Sequence, residues 1–71
     1  NMETEFIDFR VGALVRYVDI EGNQDDYHKD RGLGIITAWS RDLGKWKVRW
    51  PNAIEGGWNT YEWCDHLRTI A

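Results

Sequence analysis

Three groups of residues in this 71-residue chain have the types and spacing that chemistry uses. The first is Cys64-Asp65-His66, which brings together the thiol, carboxylate and imidazole of a nucleophilic triad. Adjacent residues in a turn or strand point apart, so this thiol is not expected to face the imidazole that would activate it. Cys64, His66 and His28 also offer soft metal ligands. A structural zinc site takes four Cys or His in paired spacings, and these three residues are the chain's whole supply. The second group is Asp19, Glu21, Asn23, Asp25 and Asp30, whose oxygens alternate as in a calcium-binding loop. Glycine falls at Gly22 instead of two residues later, and the flanks read as strands where that loop needs helices. A solvated acidic loop is the better reading. No paired carboxylates share a strand face, and no glycine-rich loop precedes a helix. Neither catalysis nor a metal or cofactor is expected.

The third group is aromatic: five Trp, three Tyr and two Phe. Each buried ring removes roughly 150–250 Å² from water, so a few build a small core and the rest must lie at the surface. Val48, Trp50, Tyr61 and Leu67 take core positions. Tyr17, Tyr27, Trp39, Trp58 and Trp63 fall at strand ends or beside loops, where they can meet Asp25 and Asp26. Aromatic faces beside carboxylates suit a Lys or Arg side chain, held by cation–π contact and ion pairing. Oligomer contacts or incomplete burial explain exposed aromatics equally well. A rival set is Arg41, Lys45, Lys47 and Arg49, interleaved with Trp46 and Trp50. Cations alternating with rings can bind single-stranded nucleic acid by pairing phosphates and stacking bases. In a half-buried strand the two types face opposite ways, which leaves the cations as a solvated face.

The elements that must position these residues are short strands. Residues 32–50, GLGIITAWSRDLGKWKVRW, read as a hairpin: a β-branched strand over 33–39, a polar turn, and a strand over 45–50. In the latter Trp46, Val48 and Trp50 face one way and Lys47 and Arg49 the other, the period of a half-buried strand. Gly44 in the turn is free to take positive φ. Before the hairpin, a strand over 13–19 sets Ala13, Val15 and Tyr17 on one face and Leu14, Arg16 and Val18 on the other. Residues 20–31, rich in Gly, Asn and Asp, form a long loop. After it, Pro51 ends the third strand, and residues 52–57 form a second loop. Residues 58–63 make a fourth strand, with Trp58, Thr60 and Glu62 on one face. Residues 64–66 fit a single 3₁₀ turn, and 67–70 close as a fifth strand. The first ten residues form an acidic N-terminal arm, docked by Phe6 or Phe9. Asn1 ahead of Met2 reads as a cloning remnant, with Met2 the expected native start.

One domain over 11–71 is all this length supports, near the lower limit for a self-sufficient core. The net charge of −3 argues against a generic nucleic-acid binder. Acid gathers ahead of the hairpin, in Glu3, Glu5, Asp8, Asp19, Glu21, Asp25, Asp26 and Asp30. A single cysteine makes no intramolecular disulfide and fits a reducing compartment. No apolar run spans a membrane, so a cytoplasmic protein, monomeric or weakly self-associating, is expected.

Gly12, Val15, Gly34, Ile36, Val48, Trp50, Asp65, Leu67 and Ile70 together resemble the pattern of SH3-like small barrels of the KOW, Tudor and Mind-bomb/HERC kind. Asn59-Thr60-Tyr61 looks like the Asn-Thr-Tyr of the Mind-bomb/HERC type, and Gly22-Asn23-Gln24-Asp25 comes near its acidic loop. The whole is similar to small SH3-like proteins of cyanobacterial phages. The resemblance covers about residues 11–70 and implies an SH3-like, five-stranded, partly open barrel that binds and does not catalyse. A phage origin would place it in the host cytoplasm. The expected partner is a protein or peptide, basic or extended, met by Tyr17, Asp25, Asp26, Tyr27, Trp39, Trp58 and Trp63. Nucleic acid at the Arg41–Lys45–Lys47–Arg49 set, or a structural role in a virion, are the alternatives.

Overall fold

The hairpin at the centre of the sequence is the centre of the sheet. The computed structural model describes residues 9–18 and 31–70. They form five strands: β1 (Leu14–Tyr17), β2 (Gly34–Ser40), β3 (Lys45–Trp50), β4 (Trp58–Glu62) and β5 (Leu67–Thr69). A 3₁₀ turn at Cys64–His66 leads into β5. All neighbours pair antiparallel, in the order β4-β3-β2-β1-β5. The sheet does not close between β4 and β5, so the all-β architecture expected from the sequence is realised as a partly open barrel. The acidic arm through Asp8 and the loop residues 19–30 lie outside the described residues.

Local chemistry accounts for the turns. Gly44 takes φ +67° and its N–H donates to the Ser40 carbonyl at 2.8 Å, while Ser40 Oγ accepts from the Leu43 N–H at 3.2 Å. A left-handed residue closing such a turn is what glycine permits at low cost. β2 and β3 pair from Ser40↔Lys45 back to Ile35↔Arg49, with a bulge between Ile36 and Ala38. There the Thr37 hydroxyl donates to the Lys47 carbonyl at 3.3 Å. The bulge inserts one residue and resets alternation, so Ile36 and Trp39, three apart, both face inward.

Val15, Ile36, Val48 and Trp50 are wholly buried, and Leu67 and Val18 nearly so. Each such aliphatic side chain is worth about 1.5–3 kcal/mol on leaving water. Trp50 fits because β2 has no side chain beneath it. A Cβ on Gly34 would lie 2.6 Å from both the Trp50 ring and Val48. Two positions depart from the sequence expectation. Val18, on the outer face by strict alternation, is buried, because the β1 strand ends at Tyr17 and the Val18 N–H turns to the His66 carbonyl at 2.9 Å. Tyr61, expected in the core, is 46% exposed. Its inward neighbour Thr60 takes the place opposite Val48, which leaves Tyr61 on the outer face opposite Lys47.

Candidate functional site

The inner face of the sheet ends in two aromatic clusters, one on each side of the core. At the first, Arg31 is 5% exposed, with its guanidinium carbon 4.1 Å from the ring centre of Tyr17 and 4.7 Å from those of Trp50 and Trp58. Arg31 Nη1 donates to Glu62 Oε2 at 2.9 Å. The same carboxylate oxygen accepts from Thr60 Oγ1 at 2.7 Å, and Thr60 Oγ1 accepts from Trp50 Nε1 at 2.8 Å. The cluster is therefore a cation cage already holding a cation from its own chain.

The chemistry suits that occupant. A guanidinium is planar and weakly hydrated, so it stacks on rings at less desolvation cost than an ammonium, and Glu62 balances its charge. Arg31 Nε has no hydrogen-bond partner among the described residues. The alternation of β4 makes the site possible, since Trp58, Thr60 and Glu62 all face inward beside Trp50. Arg31, just ahead of β2, thereby ties β1 to β4, which are not neighbours in the sheet. Tyr17 is fixed further by its hydroxyl, 3.0 Å from His66 Nδ1.

The second cluster stands open. Phe9, Trp39, Trp46 and Trp63, with Gly44, Cys64 and Asp65, line a groove of about 570 Å³. Trp39 and Trp46 pair directly across β2 and β3, with ring centres 4.8 Å apart at 60°. Phe9 approaches Trp46 at 6.3 Å, which docks the end of the N-terminal arm on the barrel. Trp39 and Trp63 are each half exposed. Gly44 belongs to this lining for the positive φ of its turn, since a Cβ there would lie 3.9 Å from Trp63, an ordinary contact distance. Lys45 Nζ sits 4.5 Å from the Trp63 ring centre, and Asp65 is one of the lining residues.

The candidates named from the sequence are thus divided. Tyr17 and Trp58 meet around Arg31, and Trp39 and Trp63 meet in the groove. Asp25, Asp26 and Tyr27 lie outside the described residues, as do His28 and the Asp19 to Asp30 calcium set. The rival cations take internal partners: Lys45 over Trp63, Lys47 6.0 Å from the Tyr61 ring centre, and Arg49 Nη2 donating to the Gly56 carbonyl at 3.0 Å. Arg41 is exposed in the β2–β3 turn. Cys64 and His66 look to different neighbours, the thiol to Asp65 at 3.8 Å and the imidazole to Tyr17.

Sequence reasoning passed over Arg31, Glu62, Phe9 and Trp46 as site residues. The inward run of Trp58, Thr60 and Glu62 was a usable signal for the cage, because a carboxylate between inward aromatics needs a cation. Nothing in the sequence marks the bulge that turns Trp39 toward Trp46. No helix among the described residues is long and apolar enough to cross a membrane. Comparison with protein-family models, with characterised proteins and with solved structures gave no match to this chain.

Proposed function

We propose that this protein is a non-enzymatic binding module that captures an extended segment of a protein partner in its aromatic groove. The observation that carries this is the convergence of four rings on one open concavity, with Trp39 and Trp63 half exposed. Large apolar surface left open in a concave site is the usual mark of a binding site. Trp and Tyr dominate binding energy because they bury much area at little entropic cost.

The lining suggests the ligand. An apolar or aromatic anchor side chain fits between Trp39 and Trp63, and a basic residue next to it would face Asp65. The cage at Tyr17 and Trp58 is the less available site, because a ligand cation would have to displace Arg31 from three rings and a carboxylate.

The test is a tryptophan-fluorescence titration with short peptides carrying a leucine or phenylalanine anchor beside arginine. Glycine-serine peptides of equal length serve as controls. Binding that disappears in Trp39→Ala and Trp63→Ala, with the far-UV circular dichroism unchanged, supports the groove. Equal binding by wild type and both variants would sink it.

A further inference from the structure

Strand pairing collects cations on the outer face of the sheet. Directly opposed residues share a face, so Leu14↔Ile35, Ile35↔Arg49 and Arg49↔Asn59 lay one row across β1 to β4. Arg16↔Arg68 and Lys47↔Tyr61 flank that row, about 7 Å away along the strands. Arg16, Lys47, Arg49 and Arg68 thus share this face with no carboxylate among the described residues. Glu62 faces inward, Asp42 lies in the β2–β3 turn, Glu55 in the loop before β4, and Asp65 in the 3₁₀ turn. The ion pair formed among the described residues is Arg31–Glu62, so no described carboxylate pairs with these cations. The net charge of −3 conceals the patch, because the balancing acid is concentrated in residues 1–8 and 19–30.

Two features set this face apart from a merely solvated one. Arg16 and Arg68 stand directly opposite each other, and like charges so placed destabilise a sheet. An anion seated between them removes that repulsion. Leu14 and Ile35, 42% and 36% exposed, fill the middle of the patch, with Leu33 also open at 42%. Solvation gives no reason to set aliphatic side chains among cations that no described carboxylate meets.

We infer that this outer face docks a protein segment in which carboxylates alternate with apolar side chains, its carboxylates on Arg16, Arg68 and Arg49 and its apolar residues on Leu14 and Ile35. Charge complementarity selects the acid, and the aliphatic centre selects a protein over a nucleic acid, whose phosphodiester chain has nothing to place there. Base stacking is also disfavoured: the ring on this face, Tyr61, already lies beside Lys47. The surface is distinct from the aromatic groove, so the two can fail separately.

The experiment titrates the ¹⁵N-labelled full chain with an octapeptide of alternating glutamate and leucine, and separately with a glutamate-serine octapeptide and a (dT)₁₂ oligonucleotide. The glutamate-leucine peptide is expected to bind tightest and to shift the amides of Leu14, Arg16, Ile35 and Arg68. Arg16→Glu/Arg68→Glu is expected to weaken it at least about tenfold, the scale of one lost charge-assisted contact. Arg16→Gln/Arg68→Gln gives a smaller loss in the same direction, and Trp39→Ala leaves the affinity unchanged. Tighter binding of (dT)₁₂ would overturn the inference in favour of nucleic acid. A dimer in sedimentation that the double Glu variant dissolves would overturn it in favour of a second copy. Unchanged peptide affinity in that variant, or equal affinity for the serine peptide, would overturn it outright.

Discussion

The two aromatic clusters are built from the same parts and end in opposite states. Around Arg31, Tyr17, Trp50 and Trp58 enclose a cation whose charge is met by Glu62. In the groove, Phe9, Trp39, Trp46 and Trp63 surround open space, with Asp65 in the lining and Lys45 over the Trp63 ring. The difference lies in what the chain supplies. Arg31 reaches the first cluster from the residues just ahead of β2 and bridges two strands that do not pair, so the cage serves the open barrel as a fastening. Among the described residues the groove receives only Phe9 from outside the hairpin and the β4–β5 connection, and that one ring does not fill it. An aromatic cluster with a cation among it therefore does not by itself identify a ligand site. Under the proposed function, the state of filling distinguishes scaffold from receptor.

The most severe way to break this contrast is to empty the cage. Arg31→Ala removes the partner of a carboxylate that is only 14% exposed, and breaking such a pair costs about 3–5 kcal/mol. Small domains have total stabilities near the low end of about 5–15 kcal/mol, so this variant is expected to be largely unfolded in a urea titration. Arg31→Met/Glu62→Gln keeps the volume and removes both charges. It is expected to recover most of the loss, because a buried ion pair and an apolar filling of similar size are often nearly equivalent. If Arg31→Ala melted like wild type, the cage would be no fastening.

Next in size is Gly34→Ala. Its Cβ would meet the Trp50 ring and Val48 at 2.6 Å, and overpacking of this kind costs about 1–3 kcal/mol. Since Trp50 is also a wall of the cage, the displacement should reach Arg31 and leave the groove alone. Chemical shifts of the Trp50 and Trp58 indole N–H groups should move, with those of Trp39 and Trp63 in place. Equal movement at both clusters would show that they are one cooperative unit.

Much of this architecture was legible in residue order. Alternation in KWKVRW fixed Trp46, Val48 and Trp50 inward and the cations outward, and β3 has those bounds and faces. Gly44, Pro51 and the 64–66 turn punctuated the chain where it bends. The site was less legible, for two physical reasons. The bulge at Thr37 is a backbone event, and without it Trp39 would point outward with Ile35, away from Trp46. Arg31 sits in an acid-rich stretch with no period, so nothing local says that its side chain turns inward. The net charge, as a sum over the chain, does not locate charge, and the distribution of acids and bases along the sequence says more than their total.

The groove is expected to respond differently from the cage. Trp39→Ala and Trp63→Ala remove rings that are half in water already, so each should cost about 1 kcal/mol of stability or less, within the range of ordinary substitutions. Trp46→Ala should cost more, because that ring packs against the core as well as against Phe9 and Trp39. Thermal melts of the three variants rank them, and a Trp39→Ala loss as large as that of Trp46→Ala would move the groove from receptor to scaffold.

The smallest expected effect sharpens the comparison most, because it uses the same kind of contact as the cage. Lys45 lies 4.5 Å from the Trp63 ring centre, a distance close to those around Arg31. The surroundings differ: Trp63 is 51% exposed, and no carboxylate pairs with Lys45 among the described residues. An exposed cation–π contact is worth about 0.5–1 kcal/mol, and salt screens it because the ammonium is wet. Lys45→Met, which keeps an apolar stem over the ring, should therefore lose under about 1 kcal/mol, and less still in 1 M salt. Arg31→Met should lose several times more at either ionic strength, since burial shields its pairing from salt. A Lys45→Met loss matching that of Arg31→Met would mean that ring contact alone sets the strength of these interactions, with enclosure and the Glu62 carboxylate adding nothing.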